Sequence, residues 1–401
     1  MDKFLVRFIS FFSYTGFYIG VTLLLAIGLG DFTRFYSIPI RAVLCFAMVL
    51  FFLMYRNKKL SSKGTYTHIF IFLFWIIYLI KVYSDIVFPN LIPYSKTAYE
   101  IGFYTLSYCV IPFIMFKSVD LSKYSKIILD TMILAGFVLG ILSIVLYRDI
   151  ILSGNIGRIN QARYLGFDTV TINPLILAYT SSLTIGFVLF KFSVDGPKSK
   201  SKLFYYCSVL IVSIILLLLG ASRGAFISLA VTIIMLFIYG DAKLRKRLGI
   251  VFFITLPILL WASVKIGSSF LARMNTLGDV DNDNSATSRF TFWSDALNEF
   301  ANFPFAGGKL EVSGIYPHNI FIETLMATGF LGAVPFFIFV ILCTKKGIQI
   351  SKLNKQYLWI FIFFLQALIH YSFTESIYLA NALFIPAGLL CSVHFTKLNH
   401  K

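Results

Sequence analysis

The chain has 401 residues, 58% of them hydrophobic and only 13% charged, with a mean hydropathy of +0.83. That is about half the charge of a soluble domain, which excludes a soluble enzyme and a disordered chain. The apolar runs are far longer than the roughly 10-residue alternating strands of an outer-membrane barrel. The net charge of +17 suits basic cytoplasmic loops that set membrane topology, so no nucleic-acid partner is expected.

The predicted fold is all-α: a polytopic transmembrane helical bundle of about 12 spans, each needing about 20 apolar residues. The spans fall near 8–29, 38–55, 67–86, 97–116, 127–147, 169–190, 203–220, 225–240, 249–266, 317–342, 357–372 and 379–396. The start, MDKFLVRFISFFSYTG, is basic and then apolar, with no small-residue cleavage site close behind, so it reads as a first span. The expected organisation is N-terminal spans over 1–147, an outer loop at 148–168, and spans with an Ser-Arg-Gly turn over 169–266. A large outer loop at 267–316 and C-terminal spans over 317–401 complete it. The five cysteines all sit in apolar runs without CxxC spacing, which points to packing rather than metal or redox chemistry.

With the N-terminus inside, the inner segments hold about 23 of the Lys and Arg residues, in runs such as RNKK (56–59), KSKSK (198–202) and KLRKR (243–247). Both termini are therefore expected in the cytoplasm. The 267–316 loop then lies outside. Within it Phe290, Trp293, Leu297 and Phe300 step by three or four, which predicts an amphipathic helix at the membrane surface, ended by Pro304 and Gly307-Gly308.

Outer-face arginines run against the topological rule and need another reason. They are Arg148, Arg158, Arg163, Arg223, Arg273 and Arg289. A guanidinium matches phosphate oxygens and stays charged. Arg223 stands between two spans in Gly220-Ala221-Ser222-Arg223-Gly224, where an ionisable group marks a functional site or snorkels to headgroups. Arg289 opens the amphipathic segment.

In Tyr316-Pro317-His318-Asn319 the large loop returns to the membrane. Pro317 suits a first helical turn, which would set His318 at a helix N-terminus as a neutral imidazole and a candidate general base. Asn319 is a candidate for orienting a hydroxyl or the imidazole, and Glu375 for binding a sugar. Glu100 and Asp130 fall inside spans and are expected to pair within the bundle. The run Asp279, Asp281, Asp283 lacks the Gly and Glu of an EF-hand and reads as a solvated loop. No metal ligand set and no cofactor are expected.

Together these residues resemble the O-antigen ligase and O-antigen polymerase superfamily of bacterial envelope proteins. The likeness rests on His318-Asn319 with Gly329 and Gly332 at the ligase spacing. It also rests on Ser222-Arg223-Gly224 after a very apolar span, and on Arg289-Phe-Thr-Phe-Trp293 followed by Pro304 and Gly307-Gly308. It implies a metal-independent, inverting glycosyltransferase in the bacterial inner membrane. The donor would be an undecaprenyl-pyrophosphate-linked glycan. The acceptor glycan would be a lipid-linked repeat unit in a polymerase, or lipid A-core in a ligase. A chain-length regulator would be a possible partner beside the lipid bilayer. Carried onto this chain, Arg223 and Arg289 clamp the pyrophosphate and His318 is the base. Ser222, Asn319, Trp293, Glu375 and the outer-loop pair Arg158 and Arg163 are the substrate-binding candidates. The SRG form and the Phe- and Trp-rich loop are more like polymerases, while the His motif was framed on ligases. A flippase is the rival from another class. It would carry midplane charges on broken helices, whereas these polar candidates sit at span ends.

Overall fold

A computed structural model describes residues 2–55, 66–87, 96–153, 172–194, 196–197, 199–240, 242–265, 284–312 and 314–393. Among them the regular structure is helical, with one isolated bridge between Val312 and Ile315.

Each predicted span coincides with a helix. The first is Asp2–Phe11 and Phe17–Ala26, joined by a π turn at Phe12–Gly16. There follow Thr33–Tyr55, Thr67–Val87, Ala98–Lys117, Leu121–Leu146, Pro174–Val194, Lys200–Gly220, Arg223–Tyr239, Ala242–Lys265, Ile320–Leu353, Leu358–Phe373 and Asn381–Ser392. Among the described residues, nine helices are long and apolar enough to cross a membrane. The difference from about 12 has a physical reason. Arg223–Tyr239 has 17 residues and Asn381–Ser392 has 12, lengths of about 26 and 18 Å against a hydrocarbon core of about 30 Å. Ala242–Lys265 opens on the basic KLRKR run.

The chain forms two compact units. The first comprises Met1–Phe51, Ser122–Leu277 and Asn354–Gln366. Its Pro174–Val194 helix packs against both Lys200–Gly220 and Arg223–Tyr239. Val21, Leu25, Leu139, Leu177, Leu216 and Leu219 form an apolar core. Several polar groups inside this unit are paired with one another, which offsets their removal from water. The Ser182 hydroxyl donates to the Ala225 carbonyl at 2.9 Å, and Gln366 Nε2 donates to Thr232 Oγ1 at 2.6 Å. Asp130 pairs with Lys191 at 2.8 Å, as expected of it.

The second unit comprises Phe52–Leu121, Gly278–Leu353 and Ala367–Lys401. Thr67–Val87 lies along Ile320–Leu353, with the Phe74 and Phe336 rings 5.1 Å apart. Asn381–Ser392 packs on Ile111–Lys117. Glu100 is exposed and closes a capping box, accepting from the Thr97 N–H at 2.9 Å.

The Ile320–Leu353 helix is broken at Gly329, where φ is 56° and ψ −160°. The loop after Asn302 fills the break. Gly308 N–H donates to the Met326 carbonyl at 2.9 Å. Phe330 N–H donates to the Pro304 carbonyl at 2.8 Å, and Leu331 N–H to that of Phe305 at 3.0 Å. Interrupted backbone within a span is tolerated where protein supplies the missing partners. The approach is so close that a side chain on Gly329 would meet the Phe305 carbonyl oxygen at 2.4 Å, and one on Gly307 the Ala327 carbonyl at the same distance.

Candidate functional site

Within the second unit, the helix Asn284–Asn302 and the segment up to Asn319 build one end of the Ile320–Leu353 helix. The amphipathic helix exists where the spacing placed it, but its contacts divide the predicted stripe. Ala296 packs with Val312 and Met326, and the Phe300 ring meets Phe330 at 5.2 Å. Phe290 and Leu297 are exposed. Trp293 faces inward enough for its indole N–H to donate to the Pro317 carbonyl at 2.8 Å.

That hydrogen bond braces the residue before His318. The helix starts only at Ile320, so Pro317 is not in its first turn and His318 precedes the cap. Asn319 is the cap. Its side-chain oxygen accepts from the Phe321 and Ile322 N–H groups at 3.0 and 3.3 Å, which satisfies two orphan donors of the first turn. His318 adopts φ 56°, a left-handed conformation uncommon for a residue with a Cβ. The Tyr316 ring lies 4.6 Å from the imidazole at 65°, and the Phe292 ring 6.2 Å away. Burial, and then the Arg289 guanidinium, push the imidazole pKa down to about 4. The sequence expected a neutral His318 from the helix dipole. Neutrality at pH 7 instead follows from desolvation and a neighbouring cation.

Tyr316 carries this arrangement to a group of carboxylates. Its hydroxyl pKa is raised by burial first, and then by Glu375, Glu323 and Glu311. Glu311 and Glu323 are buried, and sequence reasoning missed both. The available signal for Glu323 was an acidic residue in the first turn of a very apolar helix. Its carboxylate accepts from the Ser376 hydroxyl and from the Ile377 N–H at 3.0 Å. Glu375 adopts φ 55° and is half-buried. Burial raises its pKa to about 7.

Arg223 and Ser222 lie in the first unit. The Lys200–Gly220 helix ends on Ala221 at φ 40°, and Ser222 caps the next helix by accepting from the Ala225 N–H at 3.4 Å. Arg223 is the first residue of that helix and is half-buried. Arg148 sits in a short exposed helix beside Asp149, 3.3 Å away. Arg158, Arg163, Arg273 and the 279–283 acidic run fall outside the described residues.

Among the described residues three non-glycine positions have positive φ: Ala221, His318 and Glu375. Each is, or directly precedes, a residue picked out by the sequence. Strain of this kind costs of order 1–3 kcal/mol and gathers at functional sites.

The helices and these helix-head groups define a polytopic membrane protein with polar chemistry at span ends. Residues 208–337 match the family model described as O-antigen ligase (Wzy_C). Over this segment the chain is similar to the O-antigen ligase/polymerase-like superfamily, whose members are membrane enzymes of glycosyl-transfer type, and the match fits ligase and polymerase alike. Arg223, Arg289, His318, Glu323 and Gly329 lie inside the match, and Glu375 lies beyond it. No curated protein matches the chain.

Proposed function

We propose that the protein polymerises undecaprenyl-pyrophosphate-linked repeat units at the outer face of the bacterial inner membrane, with both termini in the cytoplasm. His318 takes the proton of the acceptor sugar hydroxyl as its oxygen attacks the anomeric carbon of the donor. The bond from that carbon to the pyrophosphate oxygen breaks, and the lipid pyrophosphate leaves. Attack opposite the leaving group inverts the anomeric centre. Arg289 serves the leaving pyrophosphate as a charge-neutralising group, and Arg223 is kept as a separate phosphate-binding candidate.

The observation carrying this reading is His318 itself: a neutral imidazole in a left-handed turn, held against Tyr316 and Phe292 near Arg289. A base must be unprotonated before it acts. A pyrophosphate arriving at Arg289 would offset the cation that depresses the imidazole, so donor binding would strengthen the base at the moment of need.

The choice of polymerase over ligase rests on the SRG turn and the aromatic 289–293 segment. The experiment is a deletion strain complemented with this chain and read by glycan ladders. A polymerase deletion leaves single repeat units on lipid A-core. Loss of all attached glycan, with lipid-linked polymer accumulating, would make the protein a ligase. A purified protein that extends a lipid-linked repeat unit without added metal would support the chemistry directly.

A further inference from the structure

We propose that Glu323 is a positioning residue for the His318 base, tying the His318–Asn319 turn to the Ser376–Ile377 segment and so keeping Tyr316 seated on the imidazole. The proposal rests on the reading of His318 as the base. Glu323 does two jobs at once. Its backbone N–H donates to the Asn319 carbonyl at 2.8 Å, closing the turn that follows His318. Its buried carboxylate accepts from the Ser376 hydroxyl and the Ile377 N–H.

The next residue, Tyr378, presents its ring to Tyr316 at 6.2 Å and 84°, and Tyr316 meets His318 at 4.6 Å. The contacts therefore form a closed circuit from His318 through Asn319, Glu323, Ile377, Tyr378 and Tyr316 back to His318. Glu375, at φ 55°, enters this circuit one residue before Ser376. A strained turn persists only when its neighbours over-determine it, and the Glu323 carboxylate supplies two of the bonds that do so. Opening the circuit at Glu323 leaves the 375–378 segment free to shift, and with it the ring that orients the imidazole. A base displaced by about 1 Å can lose on the order of 10²-fold in rate.

The test uses the full-length protein in lipid nanodiscs with a lipid-linked repeat unit as donor and acceptor. Glu323→Ala is expected to lower kcat by about tenfold or more, with KM for the lipid-linked unit and protein abundance unchanged. Glu323→Gln is expected to recover most of that loss. Its amide oxygen can accept from Ile377, and its amide N–H can donate to a reversed Ser376 hydroxyl. A wild-type kcat in Glu323→Ala would overturn the proposal. So would Glu323→Gln as inactive as the alanine variant, which would make the carboxylate itself chemical, or a rise in KM at constant kcat. If Glu323→Ala does not accumulate, Ser376→Ala breaks one contact alone. It should lower kcat by a smaller factor, and an unchanged kcat there overturns the role. Failure of the underlying base reading is separable. An active His318→Asn removes that reading whatever Glu323 does, whereas an inactive His318→Asn beside an active Glu323→Ala removes only the positioning role.

Discussion

Two turns of this protein share a local design and use it differently. In the first unit, left-handed Ala221 precedes the cap Ser222. In the second, left-handed His318 precedes the cap Asn319. Each device starts an apolar helix within two residues. The residue of interest falls on opposite sides of the cap. Arg223 follows its cap and is the first helical residue, where a long side chain can reach away from its own backbone. His318 comes before its cap and has no such reach, so aromatic rings and a strained φ must hold it. The comparison teaches that a flexible cation needs only a starting point, whereas a base needs a complete surround.

The comparison predicts unequal sensitivity to substitution. The largest effect should come from His318→Asn. Asn tolerates the left-handed conformation, so the turn should survive while the base is lost. Activity should fall by about 10²–10⁴-fold at normal abundance, read as missing long chains on a ladder. An active Asn variant would return His318 to a structural role.

Arg223→Lys keeps the charge but loses the planar fork. A fall of about tenfold is expected from the lost second hydrogen bond, measured as ladder intensity in a well-expressed strain. Wild-type ladders would make Arg223 a headgroup anchor instead.

Arg289→Gln should reveal the electrostatic link in the second unit. The Arg289 cation holds the imidazole pKa down, so removing it must move that pKa up from about 4. His318 is then protonated, and inactive, over a wider acid range. The acid limb of kcat/KM should shift to higher pH, whereas an unmoved limb would separate Arg289 from the base. Glu375→Gln should act most weakly. With its pKa raised to about 7, Glu375 is already part-protonated at neutral pH, and Gln resembles that form. A change of a few-fold is expected, which assays between pH 6 and 8 would resolve.

Topology can be checked without any loss of function. Ser285→Cys, on a background lacking the exposed Cys207, should react with an impermeant thiol reagent once the outer envelope is permeabilised. Reaction only after the inner membrane is broken would reverse the orientation and move the proposed chemistry to the cytoplasmic side.

Much of the helical plan was legible because span-length apolar runs need no tertiary information. Asn284–Asn302 was visible through its three-four spacing, and the SRG turn through its small residues. The candidate site was legible in part. His318, Arg289 and Arg223 stood out as polar groups where lipid or a span should be. Glu323 and Glu311 did not, because a lone acid gives no sign of which distant backbone it will meet. Ser376 and Ile377 lie more than 50 positions beyond Glu323. Pro317 misled for a similar reason. Its fixed φ suits a helix start, yet Asn319 could cap two further donors, and Trp293 took the Pro317 carbonyl.

By itself, then, the sequence determined the class of solvent, the helices and the chemical types available at their ends, all of which follow from local composition and period. Tertiary structure alone decided that Gly329 breaks its helix to receive the Pro304–Gly308 loop, and that His318 is neutral through burial and Arg289 rather than through a dipole. It also decided that Glu375, Glu323 and Glu311 act through space to raise the Tyr316 hydroxyl pKa. Each of these depends on groups far apart in the chain, and desolvation and Coulomb energy are set by distance in space rather than along the backbone.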